Sequence, residues 1–581
     1  MDMITVKING KDYSVPAGIT VLEACKYANI NIPTLCYLKD INEIGACRLC
    51  LVEVKGARGL VTACVYPVND GMEIQTNTEK IRAARRTNLE LVLSAHEKKC
   101  LSCIRSTTCE LQKLAEEYKV DEDRFTYSAN KELKPLDTSS VSIIRDNNKC
   151  ILCRRCVAAC NKLQGIGAIG AVNRGYDSEI GCAFERNLAE TSCINCGQCV
   201  VACPVGALYE KDDTQKILDA INDPTKHVAI CCAPSVRATI GECFGFEPGT
   251  DVEGKMVSAL KKLGFDGVYD MNFTADLTIM EEATEFLGRV KNGGKLPLIT
   301  SCSPGWVKYC EHYFPEMTEN LSTCKSPQQM FGAIYKTYFA EKLGLDPKDI
   351  VFVSAIPCTA KKFEVTRDGQ DVNGMPGVDI AVTTRELGRM IDQAGIEFKS
   401  LEDEKFDQPI DIGTGAGAIF GATGGVMEAA LRTAAEVIES KPLEKLEFED
   451  VRGTEGIKFA SYKLGDLTLN VAVASGTANA NKLLRGVEDG TYDVQFIEIM
   501  ACPGGCVNGG GQPIQPATVR NSVDLKALRA SVLYTADAEK LEFRKSHENP
   551  LIKKVYEEFL GEPNSHKAHE LLHTHYVKRG L

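Results

Sequence analysis

The spacing of hydrophobic and polar positions changes character several times along this chain. Over residues 3–15 they alternate around Asn9-Gly10, which predicts two strands joined by a tight turn, and a short helix is expected near 20–28. Residues 79–118 read as helical, with RAARRTNLELVLSAHEKK running into a group of cysteines. The polar stretch 121–142 is the clearest linker. From 211 onward helical patterns alternate with short β-rich runs (HVAI, LPLITS, IVFVSAI, VDIAVTT, LNVAVA), and such alternation predicts α/β layers. No run stays apolar for the roughly 20 residues that cross a bilayer.

Composition adds little until the cysteines are counted. The 581 residues are 44% hydrophobic and 25% charged, an ordinary globular balance with room for several domains. A formal net charge of −12 weighs against nucleic acid and anionic membrane surfaces as partners. The N-terminal MDMITVKING lacks a basic region followed by an apolar run, so no signal peptide is visible. There are 26 cysteines. Tight C-x-x-C pairs in a large chain without an export signal favour metal over disulfides, and a reducing, anaerobic cytoplasm.

Four cysteine groups fall within the first 203 residues. Cys36, Cys47, Cys50 and Cys64 offer four thiolates around a loop pinned by Gly45 and Ala46, which suits zinc or a 2Fe–2S cluster. The hairpin and helix before them resemble plant-type ferredoxins, and a 2Fe–2S cluster is expected. His96, Cys100, Cys103 and Cys109 have the spacing of a Cys3His zinc site taken alone. A redox-silent metal would interrupt a series of electron carriers, so a 4Fe–4S cluster with one His ligand is expected instead. Cys150, Cys153, Cys156 and Cys160, then Cys193, Cys196, Cys199 and Cys203, each form the C-x2-C-x2-C-x3-C run of bacterial two-cluster ferredoxins. In that arrangement the fourth cysteine of each run ligates the other cluster, so Cys203 joins the first three and Cys160 joins Cys193, Cys196 and Cys199. Clusters in series form a wire. It points toward Cys358, Cys502 and Cys506, which lie downstream in glycine-rich context.

TSCSPGW (300–306), IPCTAKKFE (356–364) and MACPGGCVNGGGQP (500–513) closely resemble the three signature segments of FeFe-hydrogenases. The order of the preceding modules resembles the clostridial four-cluster type over essentially the whole chain. The resemblance implies a multidomain α/β and α+β protein. Its parts would be a β-grasp ferredoxin-like domain (1–78), a small helical His/Cys3 domain (79–120), a two-cluster ferredoxin-like domain (140–210) and an α/β H-cluster domain (211–581). It implies reversible interconversion of protons, electrons and dihydrogen at an H-cluster: a 4Fe–4S cubane joined to a diiron unit carrying CO, cyanide and a dithiolate amine. Cys506 would bridge the two parts, Cys358 and Cys502 would ligate the cubane, and Lys361 would face a cyanide. Pro234, Ser235, Ser326, Gln328 and Phe420 fall on pocket positions. Glu282, Glu285 and Arg289 recur at i, i+3 and i+7 on one helical face. With Ser322 and Cys302 they match the family's proton relay. A ferredoxin or similar small carrier and H-cluster maturation proteins are the implied partners.

Two positions depart from the family. Its first signature usually reads TSCCP, with the second cysteine on the cubane; here that position is Ser303, and a serine alkoxide suits iron–sulfur clusters poorly. Three outcomes are open: Ser303 binds iron, Cys302 shifts to ligate, or Cys231 or Cys232 is recruited, with Cys232 as a substitute proton donor if Cys302 moves. Ile356 stands where methionine is common. Other signals are set aside. IGTGAGAIFGATGG (412–425) fits no dinucleotide register. His566, His569 and His573 read as a polar helix face, and Cys25, Cys182, Cys243, Cys310 and Cys324 as buried small hydrophobes. The rival functions are a hydrogen sensor with low turnover and a cluster-assembly protein lacking the diiron unit.

Overall fold

Asn9 and Gly10 take φ of 49° and 85°, the left-handed pair a two-residue hairpin turn requires. Through it the strands Met3–Ile8 and Lys11–Pro16 pair antiparallel, as the alternation predicts. They open a five-stranded sheet completed by Glu73–Gln75, Leu51–Val54 and Val61–Thr62. Thr20 and Glu23 form a capping box on the helix Val21–Tyr27, which packs on this sheet. The computed structural model describes residues 2–120, 124–125, 132–439, 441–443, 445–464 and 467–580, so much of the linker expected over 121–142 lies outside the described residues.

The stretch expected to be helical over 79–118 is two helices, Glu79–Ser94 and Glu110–Glu117. Between them His96 to Cys109 run through turns, because a tight group of ligands cannot form on one straight helix. The next segment carries the same turn twice. Leu152 and Arg154 take φ of 54° and 61° between the cysteines of the first run, and Asn195 and Gly197 take 58° and 69° at the same places in the second. Each turn curls the chain around a point and then enters a short helix, Arg155–Ala158 or Gln198–Ala202. Strands Ile143–Arg145 and Leu208–Glu210 tie the ends of the segment together.

Beyond residue 226 stand two four-stranded sheets. One is wholly parallel, in the order Gly267–Asp270, His227–Cys232, Ile350–Ile356 and Ile380–Thr383. The other runs Leu298–Ile299, Phe496–Met500, Leu467–Ser475 and Ile457–Leu464, with only the last pair antiparallel. Parallel strands send their chains out at one edge, and loops at carboxyl ends are where such sheets build sites. Five loops leave here together: Ala233-Pro234-Ser235, Met271, Thr300 to Pro304, Pro357-Cys358 and Ala501-Cys502. The long helix Asn272–Asn292 follows one of them and buries Phe273, Leu277, Ile279 and Phe286 against both sheets. The glycines of 412–425 serve this packing, since a Cβ on Gly413 or Gly417 would lie 2.3 Å or 2.6 Å from Asn272.

Candidate metal centres and the cavity they lead to

In the first domain Cys50 Sγ lies 3.3 Å from Cys64 Sγ, and the Cys47 amide donates to Cys36 Sγ at 3.5 Å. All four sulfurs of the group therefore face one another. In the second group His96 is half-buried, and desolvation lowers its pKa, which favours the neutral imidazole that binds metals. Its Nδ1 has no partner among the described residues. Cys103 packs against Gly206, where a Cβ would come within 2.6 Å of its sulfur. This site is thereby pressed onto the two-cluster segment, and Arg155 reinforces the contact with paired hydrogen bonds to Glu110 at 2.9 and 3.1 Å.

The duplicated runs line two cavities. Cys150, Cys153, Cys156 and Cys203 share one of about 390 Å³. Cys160, Cys193, Cys196 and Cys199 share another of about 460 Å³. Each is thus lined by the first three cysteines of one run and the fourth of the other. Cys196 also lines a third cavity, deeper in the molecule. A Cβ on Gly510 would sit 2.1 Å from the Cys196 carbonyl, and one on Gly197 would sit 2.9 Å from Gly510 Cα. Only glycine lets these two backbones touch.

That third cavity lies between the two sheets and is lined by Cys358, Cys502 and Cys506. Burial pushes the Cys506 thiol up to about 12 and raises Cys358 and Cys502 as well. Buried thiols of this kind give up their protons to a metal rather than to solvent. The walls fit a bulky inorganic group: a Cβ on Gly505 or Gly509 would strike backbone at 2.6 Å or 2.3 Å. Pro234, Ser235, Gln328, Phe420 and Lys361 line it too. Ser235 Oγ is buried there without a partner among the described residues. Lys361 Nζ donates to the Cys302 carbonyl and to Glu364 Oε2, both at 3.0 Å. Glu364 was missed in the sequence, yet it also accepts from Ser326 Oγ at 2.8 Å and Gln328 Nε2 at 3.0 Å. One carboxylate thus holds three of the expected pocket residues; its place three positions after Lys361 on the helix Ala360–Val365 was the available signal. Ser326 stands just behind the wall.

Cys302 and Ser303 both line this cavity, but they face different neighbours. Ser303 Oγ accepts from the Ala501 amide at 3.2 Å, beside Cys502. The Cys302 thiol is raised by burial first, then by the Glu282 carboxyl. Glu282 is itself buried, and desolvation holds its pKa up at about 8 against the pull of a Ser322 hydrogen bond. Ser322 Oγ donates to Glu285 Oε2 at 3.1 Å, and Arg289 donates to Glu285 Oε1 at 2.5 Å. Arg289 in turn reaches the exposed carbonyls of Lys295 and Glu319. Ser322, Glu285 and Arg289 are thus hydrogen-bonded in series toward the surface, while Glu282 lies inward of them with its Oε2 unpartnered among the described residues and acts on Cys302 only through its charge.

Cys232 is fully buried at the end of its strand and is not among the residues lining the cavity; Arg237, Asp270 and Glu253 are its charged neighbours, and Glu282 is not among them. Cys243 is exposed rather than buried. His573 leaves the polar helix face expected for it: the helix ends at Leu572 and the imidazole turns inward.

Fold and cavity together define a protein whose cysteine-lined cavities lead to one buried cavity ringed by three further cysteines, the layout of an iron–sulfur redox protein. The sequence family described as "Iron only hydrogenase large subunit, C-terminal domain" matches residues 226–510, and "Iron hydrogenase small subunit" matches 523–579. Upstream, the "2Fe-2S iron-sulfur cluster binding domain" matches 1–79, the "NADH-ubiquinone oxidoreductase-G iron-sulfur binding region" 85–124 and the "NADH-quinone oxidoreductase subunit 3, ferredoxin-like domain" 140–209. The chain belongs to the FeFe, or iron-only, hydrogenases. It is 50% identical to the NADP-reducing hydrogenase subunit HndD of Solidesulfovibrio fructosivorans, covering 100% of both chains. It is 45% identical to iron hydrogenase 1 of Clostridium pasteurianum, over 99% of this chain and 100% of that one. The solved FeFe-hydrogenase HydA1 of Chlamydomonas reinhardtii superposes with a TM-score of 0.57 at 41% identity, covering 64% of this chain and 100% of that one. The protein interconverts protons, electrons and dihydrogen at an H-cluster, served by 2Fe–2S and 4Fe–4S clusters.

Proposed function

We propose that the chain works as four modules, 1–78, 79–120, 140–210 and 211–581, which pass single electrons between a ferredoxin-like carrier and the buried cavity. The first module holds its 2Fe–2S cluster on Cys36, Cys47, Cys50 and Cys64. His96, Cys100, Cys103 and Cys109 hold a 4Fe–4S cluster, and the two duplicated runs hold two more with their fourth cysteines exchanged. Cys358, Cys502 and Cys506 hold the H-cluster, with Lys361 and Ser235 donating hydrogen bonds to its diatomic ligands. When bound, that group supplies Lewis-acidic iron beside an amine base, the pair that cleaves or forms dihydrogen heterolytically.

Protons travel through the chain's own side chains. Arg289 and Glu285 collect them at the surface, Ser322 passes them inward, Glu282 holds one at its carboxyl, and Cys302 delivers it to the cavity. The observation that carries this reading is the hydrogen-bonded series Ser322–Glu285–Arg289 running outward from the buried Glu282 carboxyl, whose Oε2 has no partner among the described residues. Cys302 and Ser303 both line the cavity; we assign Cys302 to proton delivery and the fourth cubane corner to Ser303, whose Oγ accepts from the amide of Ala501, the residue before Cys502. A Glu282→Gln variant tests the relay: H2 evolution falls by about 10²–10⁴-fold while the infrared bands of the H-cluster persist. Full turnover in that variant would end the assignment.

No helix among the described residues is long and apolar enough to cross a membrane. We place the enzyme in the cytoplasm, matured there by dedicated H-cluster assembly proteins. One relative's name links it to NADP, whereas the glycine-rich 412–425 segment here is packed against Asn272 and Asp537 and leaves no cradle for a nucleotide. Electrons therefore enter through a protein carrier, and anaerobic assays comparing reduced ferredoxin with NADPH as sole donor check this.

A further inference from the structure

Beside the relay, and sharing Glu285 with it, lies a group of ligating side chains of which Cys324 and His573 have no part in the hydrogenase reaction. One atom each from Glu285, Cys324 and His573 lies within 4.8 Å of the others. We propose that these three form a binding site for a borderline divalent cation of the zinc class, and that filling it closes the proton path at Glu285; the second half rests on the relay reading above.

The geometry suits that class of ion. Cys324 Sγ lies 3.8 Å from Glu285 Oε2. Sulfur and oxygen bound tetrahedrally to one zinc at about 2.3 and 2.1 Å stand about 3.6 Å apart. The third ligand is oriented from behind. His573 Nε2 faces Glu281 Oε2 at 3.1 Å, while its Nδ1 lies 2.8 Å from Thr323 Oγ1, which is itself 3.3 Å from Glu285 Oε2. The Nδ1 lone pair is thus turned to the Glu285 side and the other ring nitrogen is given to a carboxylate, the arrangement that fixes metal-binding histidines. Glu281 is fully buried and held by Tyr556 and the Asn564 amide.

Backbone pairing makes the group a built feature rather than a chance meeting. Lys325 N donates to the Leu572 carbonyl at 2.7 Å and Thr574 N to the Thr323 carbonyl at 2.8 Å, which fixes Cys324 opposite His573. The exposed His569 packs against His573 with ring centres 4.1 Å apart and planes tilted by 36°, and marks the solvent side. Binding replaces the Cys324 S–H proton, which leaves to solvent, and takes up the Glu285 oxygen that now accepts from Ser322. With that oxygen on a cation, no proton passes between Ser322 and Arg289.

The test uses the matured, cluster-loaded enzyme, exposed anaerobically to zinc(II) and freed of excess. Zinc-edge X-ray absorption is expected to show one sulfur at about 2.3 Å with nitrogen and oxygen at about 2.0–2.1 Å. In Cys324→Ala the sulfur is lost, and in Cys324→Ala and His573→Gln the zinc concentration that halves H2 evolution, relative to each variant's own zinc-free rate, rises at least about tenfold. A chelator restores the wild-type rate. An unchanged sulfur signal in Cys324→Ala overturns the site, and zinc held on that sulfur with the rate untouched overturns the gating. Failure of the relay itself would show separately, as full zinc-free turnover in Glu285→Ala.

Discussion

At the scale of single residues, burial sets the chemistry of the proton route. Desolvation holds Glu282 protonated up to about pH 8, so below that pH it can give a proton inward and above it becomes a carboxylate. H2 evolution limited by proton delivery is therefore expected to fall as pH rises through about 8. A pH–rate profile of the wild type checks this, and Glu282→Gln should lose that limb along with most of its rate. Ser303→Cys restores a thiolate at the fourth corner. Its expected signature is a changed cubane spectrum with the diiron infrared bands retained, whereas an unaltered electron paramagnetic resonance spectrum would move the corner to Cys302. The relay residues were proposed through the family resemblance, since the helical spacing of Glu282, Glu285 and Arg289 alone reads as a solvated charged face. Glu364 was not, because a carboxylate that only positions Lys361, Ser326 and Gln328 carries no pattern of its own. Cys232 reads as a candidate because it precedes a pocket segment, yet it is fully buried and absent from the cavity lining.

At the scale of elements, the long helix Asn272–Asn292 and the C-terminal strand-like segment make the relay together. Thr574 pairs with Thr323, the Tyr576 hydroxyl donates to the Ser322 carbonyl, and Arg579 reaches Glu311 at 2.7 Å. Deleting residues 574–581 frees the loop that carries Ser322, and H2 evolution should drop at least about tenfold through lost alignment. Unchanged infrared bands would show that the cavity itself survived. The helix was legible from periodicity alone. The inward turn of His573 was not, since i, i+3 and i+7 spacing presumes that the helix continues and cannot show where it stops. The split of 79–118 has the same origin: a cluster of ligands broke a run whose flanks are both helical.

At the scale of the whole molecule, the wire ends where two backbones touch. The duplicated runs were readable from spacing, and the three signature segments and their order along the chain from the family resemblance. What spacing could not give is how closely the inner ferredoxin-like loop presses on the cavity. Gly510→Ala tests that contact, because its Cβ would meet the Cys196 carbonyl, and backbone cannot yield cheaply. A loss of about 1–3 kcal/mol is expected by anaerobic denaturation, as for other overpacked sites. A neutral result would mean the two loops stand farther apart.

Everything depends on Cys358, Cys502 and Cys506 holding one six-iron group at the inner end of that wire. Infrared spectroscopy in the CO and cyanide window, on enzyme matured anaerobically, asks this directly. The expected result is a full set of bands in the wild type and none in Cys506→Ala. Bands that survive loss of Cys506, or a matured wild type without them, would contradict the account.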